Sequence, residues 1–170
     1  MLLIAQVAFG LLPVALYLAA LVVMDSYKLV RLRAVLLAVA AGFAALLACN
    51  YLNPWLLDLV GTDVRSFSRY LAPITEESAK AAYLVFLFRA RRIGFLVDAA
   101  IFGFAVGAGF GILENIFYMR LLPDAKLFTW VLRGCGTALM HGSTAAVFAL
   151  LVQSRSDGGG NPRTAPLLGA

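Results

Sequence analysis

Long apolar stretches alternate with short charged segments along this chain of 170 residues. A helix needs about 20 mostly apolar residues to cross a bilayer. By this measure the pattern predicts five transmembrane helices, at about residues 2–24, 34–52, 70–88, 95–119 and 127–152. The expected fold class is therefore all-α: a polytopic transmembrane helical bundle over residues 1–153. Residues 154–170 are rich in Gly, Pro and Ser and are predicted to form a disordered tail.

The composition also requires a lipid bilayer around the protein. Apolar residues make up 62% of the chain, charged residues only 14%, and the mean hydropathy is +0.90. A soluble domain carries about a quarter charged residues. The chain is therefore predicted to be a multi-pass protein of the cell membrane.

The net charge of +5 does not indicate a nucleic-acid partner, because the basic residues lie in short clusters between apolar stretches rather than on one basic face with interleaved aromatics. Six of them lie in the loops after the first and third helices, and four in the loops after the second and fourth. Cytoplasmic loops carry the excess of Lys and Arg. This distribution predicts an outside N-terminus and a cytoplasmic C-terminus.

Ionisable residues interrupt three of the predicted helices. Glu76, Glu77 and Lys80 lie in the third, Glu114 in the fourth and His141 in the fifth. A charge at the bilayer centre costs roughly 2.5–3.5 kcal/mol, so such residues usually serve a function. At about 1.5 Å of rise per residue, Glu76 and Glu114 lie about 9 Å from the outer face and His141 about 20 Å from it. The groups are predicted to meet in the outer half of the membrane.

Small residues indicate which faces of the last two helices point inward. The fourth helix repeats glycine every four residues and then continues on the same face with the acid: Gly103, Gly107, Gly111 and Glu114. The fifth helix has a similar face: Gly134, Ala138, His141, Ala145 and Ala149. Small residues at this spacing let helices pack closely in membranes. Glu114 and His141 are therefore predicted to face the bundle interior.

The chemistry of these groups leaves several functions open. Carboxylates and an imidazole can hold a divalent metal, or serve as a general base for water. Lys80 or Asn115 can donate hydrogen bonds to an oxyanion. The same charges can instead form a structural ion-pair cluster. A proton-coupled carrier is disfavoured because the chain has no inverted repeat. Cys49 and Cys135 are expected to be buried, inert thiols, with a disulfide left open.

Three motifs resemble one known family. Residues 76–80, Glu-Glu-Ser-Ala-Lys, resemble the EExxK motif of the PrsW intramembrane metalloproteases. Residues 110–115, Phe-Gly-Ile-Leu-Glu-Asn, resemble the FxxxEN end of the family's glycine-rich helix. His141 matches the single histidine of the next family helix. The resemblance covers roughly residues 70–150.

The resemblance implies an intramembrane endopeptidase that hydrolyses a peptide bond in a membrane-associated protein, such as an anti-sigma factor. It implies a catalytic or metal-binding set taken from Glu76, Glu77, Glu114 and His141, with a divalent metal such as zinc as cofactor. Lys80 and Asn115 are the expected supporting residues. The alternative is a non-catalytic membrane scaffold, like the related gamma-secretase subunit, in which the same polar cluster assembles the helices.

Overall fold

The computed structural model describes residues 2–25 and 30–158 of the chain. The described residues form helices and connecting turns, without a strand, so the predicted all-α class is confirmed. In chain order the elements are α1 (Leu2–Met24), α2 (Leu32–Val60), α3 (Val64–Ser66), a first π-helical segment (Phe67–Leu71), α4 (Ala72–Arg89), α5 (Leu96–Leu121), α6 (Leu127–Leu132), a second π-helical segment (Arg133–Thr137) and α7 (Ala138–Gly158).

These elements join into five long helices, because α3 continues through the first π-helical segment into α4, and α6 continues through the second into α7. Among the described residues, four of the long helices are long and apolar enough to cross a membrane. The remaining one contains α4, whose apolar character is reduced by Glu76, Glu77 and Lys80. The structure thus has four long apolar helices, as a membrane protein does, and one helix that carries more charged residues than any of them.

The second helix differs from its predicted end near residue 52. α2 continues through Pro54 to Val60 and stops at Gly61, whose φ of 67° lies in the left-handed region that favours glycine. The connection that follows is short, and α3 begins at Val64. The side chain of Asp63 caps α3 by accepting a 3.0 Å hydrogen bond from the Ser66 N–H. Hydrogen bonds from the side chain and the backbone N–H of Ser66 lower the pKa of the Asp63 carboxyl.

The helix α5 lies at the centre and packs against α1, α2, α4 and α7. Every residue from 101 to 111 is buried. Glycine makes this possible, because a Cβ on Gly107 would lie 2.0 Å from the carbonyl oxygen of His141, and one on Gly109 would lie 2.1 Å from that of Val39. The predicted glycine face therefore packs on α7, and Gly109 brings a second side of α5 against α2.

The small residues predicted to share one face of the last helix pack against two different helices, α1 and α5. A Cβ on Gly134 would lie 1.9 Å from the carbonyl oxygen of Phe9 in α1, whereas His141 and Ala145 lie against α5. Gly134 belongs to the second π-helical segment, whose wider turn changes the direction of the residues on either side of it. The π-helical geometry therefore separates residues that a regular helix would place on one face.

The cap of α5, the two thiols and the end of α7 complete the description of the fold. Asp98 caps α5, its Oδ2 accepting from the backbone N–H groups of Gly94 and Phe95 at 3.1 Å each. Both cysteines are free, and Cys135 is exposed where a buried thiol was expected, while Cys49 is buried. Residues 154–158 continue α7 instead of beginning the tail, and the rest of the predicted disordered tail lies outside the described residues.

Candidate functional site

The ionisable side chains of α4, α5 and α7 form one connected cluster around His141. Glu77 and Lys80 approach the imidazole from α4, and Glu114 approaches it from α5. Lys80 is 1% exposed and His141 is 3% exposed, so both lie inside the bundle. The convergence of three helices on one imidazole is the arrangement that the sequence predicts.

One side of the imidazole contacts the EExxK segment. The Nζ atom of Lys80 lies 2.9 Å from His141 Nδ1 and 2.6 Å from Glu77 Oε1. Thr144 also donates to Glu77 Oε1, at 3.3 Å. Because a lysine ammonium has only donors, Nδ1 must accept in this contact, and the imidazole proton is then on Nε2. Glu77 is therefore held by Lys80 and Thr144 beside the Nδ1 edge of the ring.

The other side of the imidazole faces Glu114. Glu114 Oε2 lies 3.4 Å from His141 Nε2 and 3.0 Å from Arg133 Nη2. Arg133 Nε donates to Asn115 Oδ1 at 3.0 Å, and its guanidinium lies 3.7 Å from the centre of the Tyr118 ring. Arg133 therefore fixes the carboxylate of Glu114 between an imidazole and a guanidinium.

Asn115 connects this side of the cluster to α1. Its Nδ2 donates to the carbonyl oxygen of Gly10 at 2.8 Å, while its Oδ1 accepts from Arg133. The side chain is 0% exposed. Since both ends of the amide are engaged, Asn115 holds Arg133 in place and does not face a substrate.

A cavity of about 440 Å³ opens beside the cluster, between the end of α2, the first π-helical segment, α4, α5 and α7. Glu76, Glu114 and His141 all line it. Asn53 and Thr137 add polar groups to its wall, so water can be accommodated there. Glu76 and Glu114 also line a neighbouring cavity of about 430 Å³. The two adjacent glutamates of α4 therefore point in different directions. Glu76 faces the two cavities, and Glu77 faces the Nδ1 edge of His141.

Two side chains of the cavity are spaced to bind one divalent metal ion, but a third protein ligand is lacking among the described residues. Two ligands bound at about 2.0–2.1 Å in tetrahedral geometry lie about 3.3 Å apart. The 3.4 Å between Glu114 Oε2 and His141 Nε2 matches that separation. Within residues 2–25 and 30–158, however, no three His, Cys, Asp or Glu side chains converge closely enough to hold an ion. The pair of Glu114 and His141 fits a metal, and the remaining ligand positions must be filled from the cavity.

Three contributors to the cluster lie outside the set predicted from the sequence. They are Arg133, Thr144 and Phe110, whose ring lies 4.9 Å from the imidazole and 4.5 Å from Lys80 Nζ. Thr144 follows His141 by three residues, and this helical spacing is a signal that sequence inspection can use. Arg133 gives no comparable signal, because the π-helical segment that starts there is not visible in the sequence.

A family model described as PrsW family intramembrane metalloprotease matches residues 26–167. The chain belongs to this family. Comparison with curated proteins and with solved structures finds no match. The match confirms the predicted family, and membership in it indicates, at the family level, an intramembrane protease that uses a divalent metal and acts on a membrane protein. The matched residues include every member of the cluster and exclude α1, whose Gly10 carbonyl nevertheless binds Asn115.

Proposed function

We propose that this PrsW-family chain hydrolyses a peptide bond of a membrane-associated protein in the cavity shared by Glu76, Glu114 and His141. The observation that carries the proposal is that three helices present two carboxylates and an imidazole to one cavity of about 440 Å³ with polar walls. Hydrolysis within a membrane needs water beside a base, and a polar cavity supplies both.

Glu76 is the proposed general base. Its carboxylate lines both cavities and, among the described residues, has neither a hydrogen-bond nor an ion-pair partner. Glu77, by contrast, is engaged by Lys80 at 2.6 Å and Thr144 at 3.3 Å. A base must be free to accept a proton from water. Glu76 meets this requirement and Glu77 does not.

Glu114 and His141 are the proposed metal ligands, and zinc is the proposed ion because it accepts carboxylate and imidazole donors. When bound there, the cation would supply a Lewis acid for the carbonyl oxygen of the scissile bond. His141 can offer Nε2 only if its proton is on Nδ1 instead. Lys80 Nζ, 2.9 Å from Nδ1, must then turn away, and Glu77 Oε1, 3.9 Å from Nδ1, must approach by about 1 Å to accept that proton. Glu77 is thus proposed to orient the imidazole.

The test compares four single variants, E76Q, E77Q, E114Q and H141A, with the wild-type protein in liposomes. New protein amino termini in membranes of expressing cells identify the substrate, and metal analysis of purified protein gives the bound ion. We expect E76Q to keep the metal and lose at least about 100-fold in cleavage rate, the usual worth of a general base. E114Q and H141A should lose both metal and cleavage.

E77Q should weaken metal binding by about 10–100-fold, as loss of a partner of a ligating histidine does. D124N, at an exposed turn residue, is the matched control and should behave like wild type. Loss of metal in E76Q would make Glu76 a ligand and overturn its role as base. Full cleavage in all four variants would overturn the site.

A non-catalytic scaffold is the second candidate function, and one observation favours it. The charges of Lys80, Glu77, Arg133 and Glu114 are already paired around His141. Such a closed cluster can hold helices together without any reaction. A scaffold would copurify with a partner protein and bind no metal, and E77Q and E114Q would lower its thermal stability without changing any cleavage product.

The orientation in the membrane is proposed from the distribution of basic residues, and the kind of substrate from the resemblance of the three motifs. The excess of basic residues in the loops after the first and third helices supports an outside N-terminus and a cytoplasmic C-terminus. The cavity then opens toward the outer half of the membrane. A membrane protein of the anti-sigma-factor kind is the proposed substrate, on the resemblance of the three motifs. Cysteine labelling of single-cysteine variants at the two chain ends tests the orientation.

A further inference from the structure

A second large cavity, of about 590 Å³, lies at the opposite end of the bundle from Glu114. It is enclosed by the start of α2, the end of α4 and the start of α5. Asp98 lines it, and the 16 residues of α5 between Asp98 and Glu114 span about 24 Å. The cavity therefore belongs to the other membrane surface and is separate from the candidate active site.

The rim of this cavity is basic. Arg31 immediately precedes α2, and Arg92 follows α4, so both lie at helix ends, where lipid headgroups meet the protein. Both side chains are exposed, and neither forms an ion pair within the described parts of the chain. Guanidinium groups bind phosphate oxygens through paired hydrogen bonds. The rim thus offers two unpaired donors for a phosphate.

Asp98 adds an acceptor of opposite charge. It is only 7% exposed, and its Oδ2 is engaged by the two backbone N–H groups at the start of α5. Its Oδ1 is buried without a hydrogen-bond partner in the described structure. Buried polar atoms are nearly always paired, so an unpaired oxygen on a side chain that lines the cavity indicates a missing donor. The donor of matching charge is a cation that carries N–H groups.

The remaining wall is apolar and aromatic. Tyr83, Phe86 and Phe102 line it, and Phe86 is 59% exposed on the outer surface of the bundle. An apolar wall that continues onto the surface of a membrane helix suits an acyl chain. The cavity therefore combines a basic rim, a buried acceptor and an apolar surface.

We propose that this cavity binds one phospholipid with a primary-amine headgroup, phosphatidylethanolamine. Arg31 and Arg92 bind its phosphate, Asp98 accepts from its ammonium, and an acyl chain lies along Phe86 and Phe102. Phosphatidylcholine has no N–H on its ammonium and cannot donate to Asp98. Phosphatidylglycerol has no cation and would be repelled by the carboxylate.

The test titrates the purified full chain in detergent with each of these three lipids and counts bound molecules by native mass spectrometry. We expect wild type to bind phosphatidylethanolamine about tenfold more tightly than phosphatidylcholine, the worth of one hydrogen bond to a charged group. D98N should remove this preference. An R31Q/R92Q double variant should weaken phosphatidylethanolamine binding by at least about tenfold.

R155Q is the matched control, because Arg155 is an exposed arginine near the end of α7, outside the cavity lining. It should bind like wild type. Asparagine retains an oxygen for the helix cap, so D98N should unfold at a temperature close to that of wild type. Equal binding of the two zwitterionic lipids by wild type overturns the proposal. So does tighter binding of phosphatidylglycerol that increases further in D98N, since that result describes an anionic-lipid site.

Discussion

Replacing Gly107 by alanine tests whether the contact between α5 and α7 positions His141. A Cβ at residue 107 would lie 2.0 Å from the carbonyl oxygen of His141, and Cβ contacts in proteins are essentially never shorter than 3.0 Å. The obstructing atoms belong to the backbone of His141 and Gly142, so no rotamer change can relieve the contact. The two helices must separate by about 1 Å at His141.

The close contact at Gly107 leads us to expect two effects of G107A, one on stability and one on cleavage rate. Overpacking of this kind costs about 1–3 kcal/mol of unfolding free energy. A displacement of about 1 Å at a catalytic group costs about 100-fold in rate. We therefore expect G107A to unfold at a lower temperature than wild type and to cleave the substrate about 100-fold more slowly.

The matched control is G136A, in the second π-helical segment, because a Cβ there would meet nothing within 4 Å. Thermal unfolding in detergent and cleavage by liposomes that contain each variant are the two assays. G136A should keep the wild-type rate and be at least as stable, since alanine restricts the unfolded chain more than glycine does. A G107A protein with the rate and stability of wild type would refute the close packing of α5 on α7 at His141.

Three further predictions address other contacts. R133M leaves the largely buried carboxylate of Glu114 without its guanidinium and should lower the unfolding free energy by about 3 kcal/mol, an effect that should shrink when E114Q is added in a double-mutant cycle. T75V removes the hydroxyl that joins α4 to α2 through a 2.6 Å hydrogen bond, and urea titration should show a loss of about 1 kcal/mol. N-ethylmaleimide should modify one thiol per folded chain, at the exposed Cys135, and two labels by mass spectrometry would contradict the burial of Cys49.

The helices and the inward faces of Glu114 and His141 were predictable from local patterns. Apolar length identified the long helices, and glycine at every fourth residue identified the side of α5 that carries Gly103 and Gly107, which pack against α7. The end of α2 was less predictable. Pro54 disfavours a helix but does not forbid one, and Gly61 is the residue whose left-handed conformation ends it.

The internal arrangement of the site depends on contacts that the sequence does not reveal. Glu76 and Glu77 are neighbours about 100° apart on a helix, and only the packing of α4 decides which one faces the cavity. Asn115 binds a carbonyl oxygen 105 residues away in α1, a pairing without any local pattern. Arg133 reaches Glu114 from the beginning of a π-helical segment, and that irregularity shifts it from the position a regular helix would give.

The complete burial of residues 101–111 has a consequence for how this segment tolerates mutation. An ordinary surface helix accepts larger side chains on its outward face, so its tolerance rises and falls with each turn of about 3.6 residues. This segment has other helices on all sides. A saturation mutagenesis survey should therefore find no helical periodicity in the tolerance of residues 101–111. Larger side chains should be tolerated poorly at every position across these three turns.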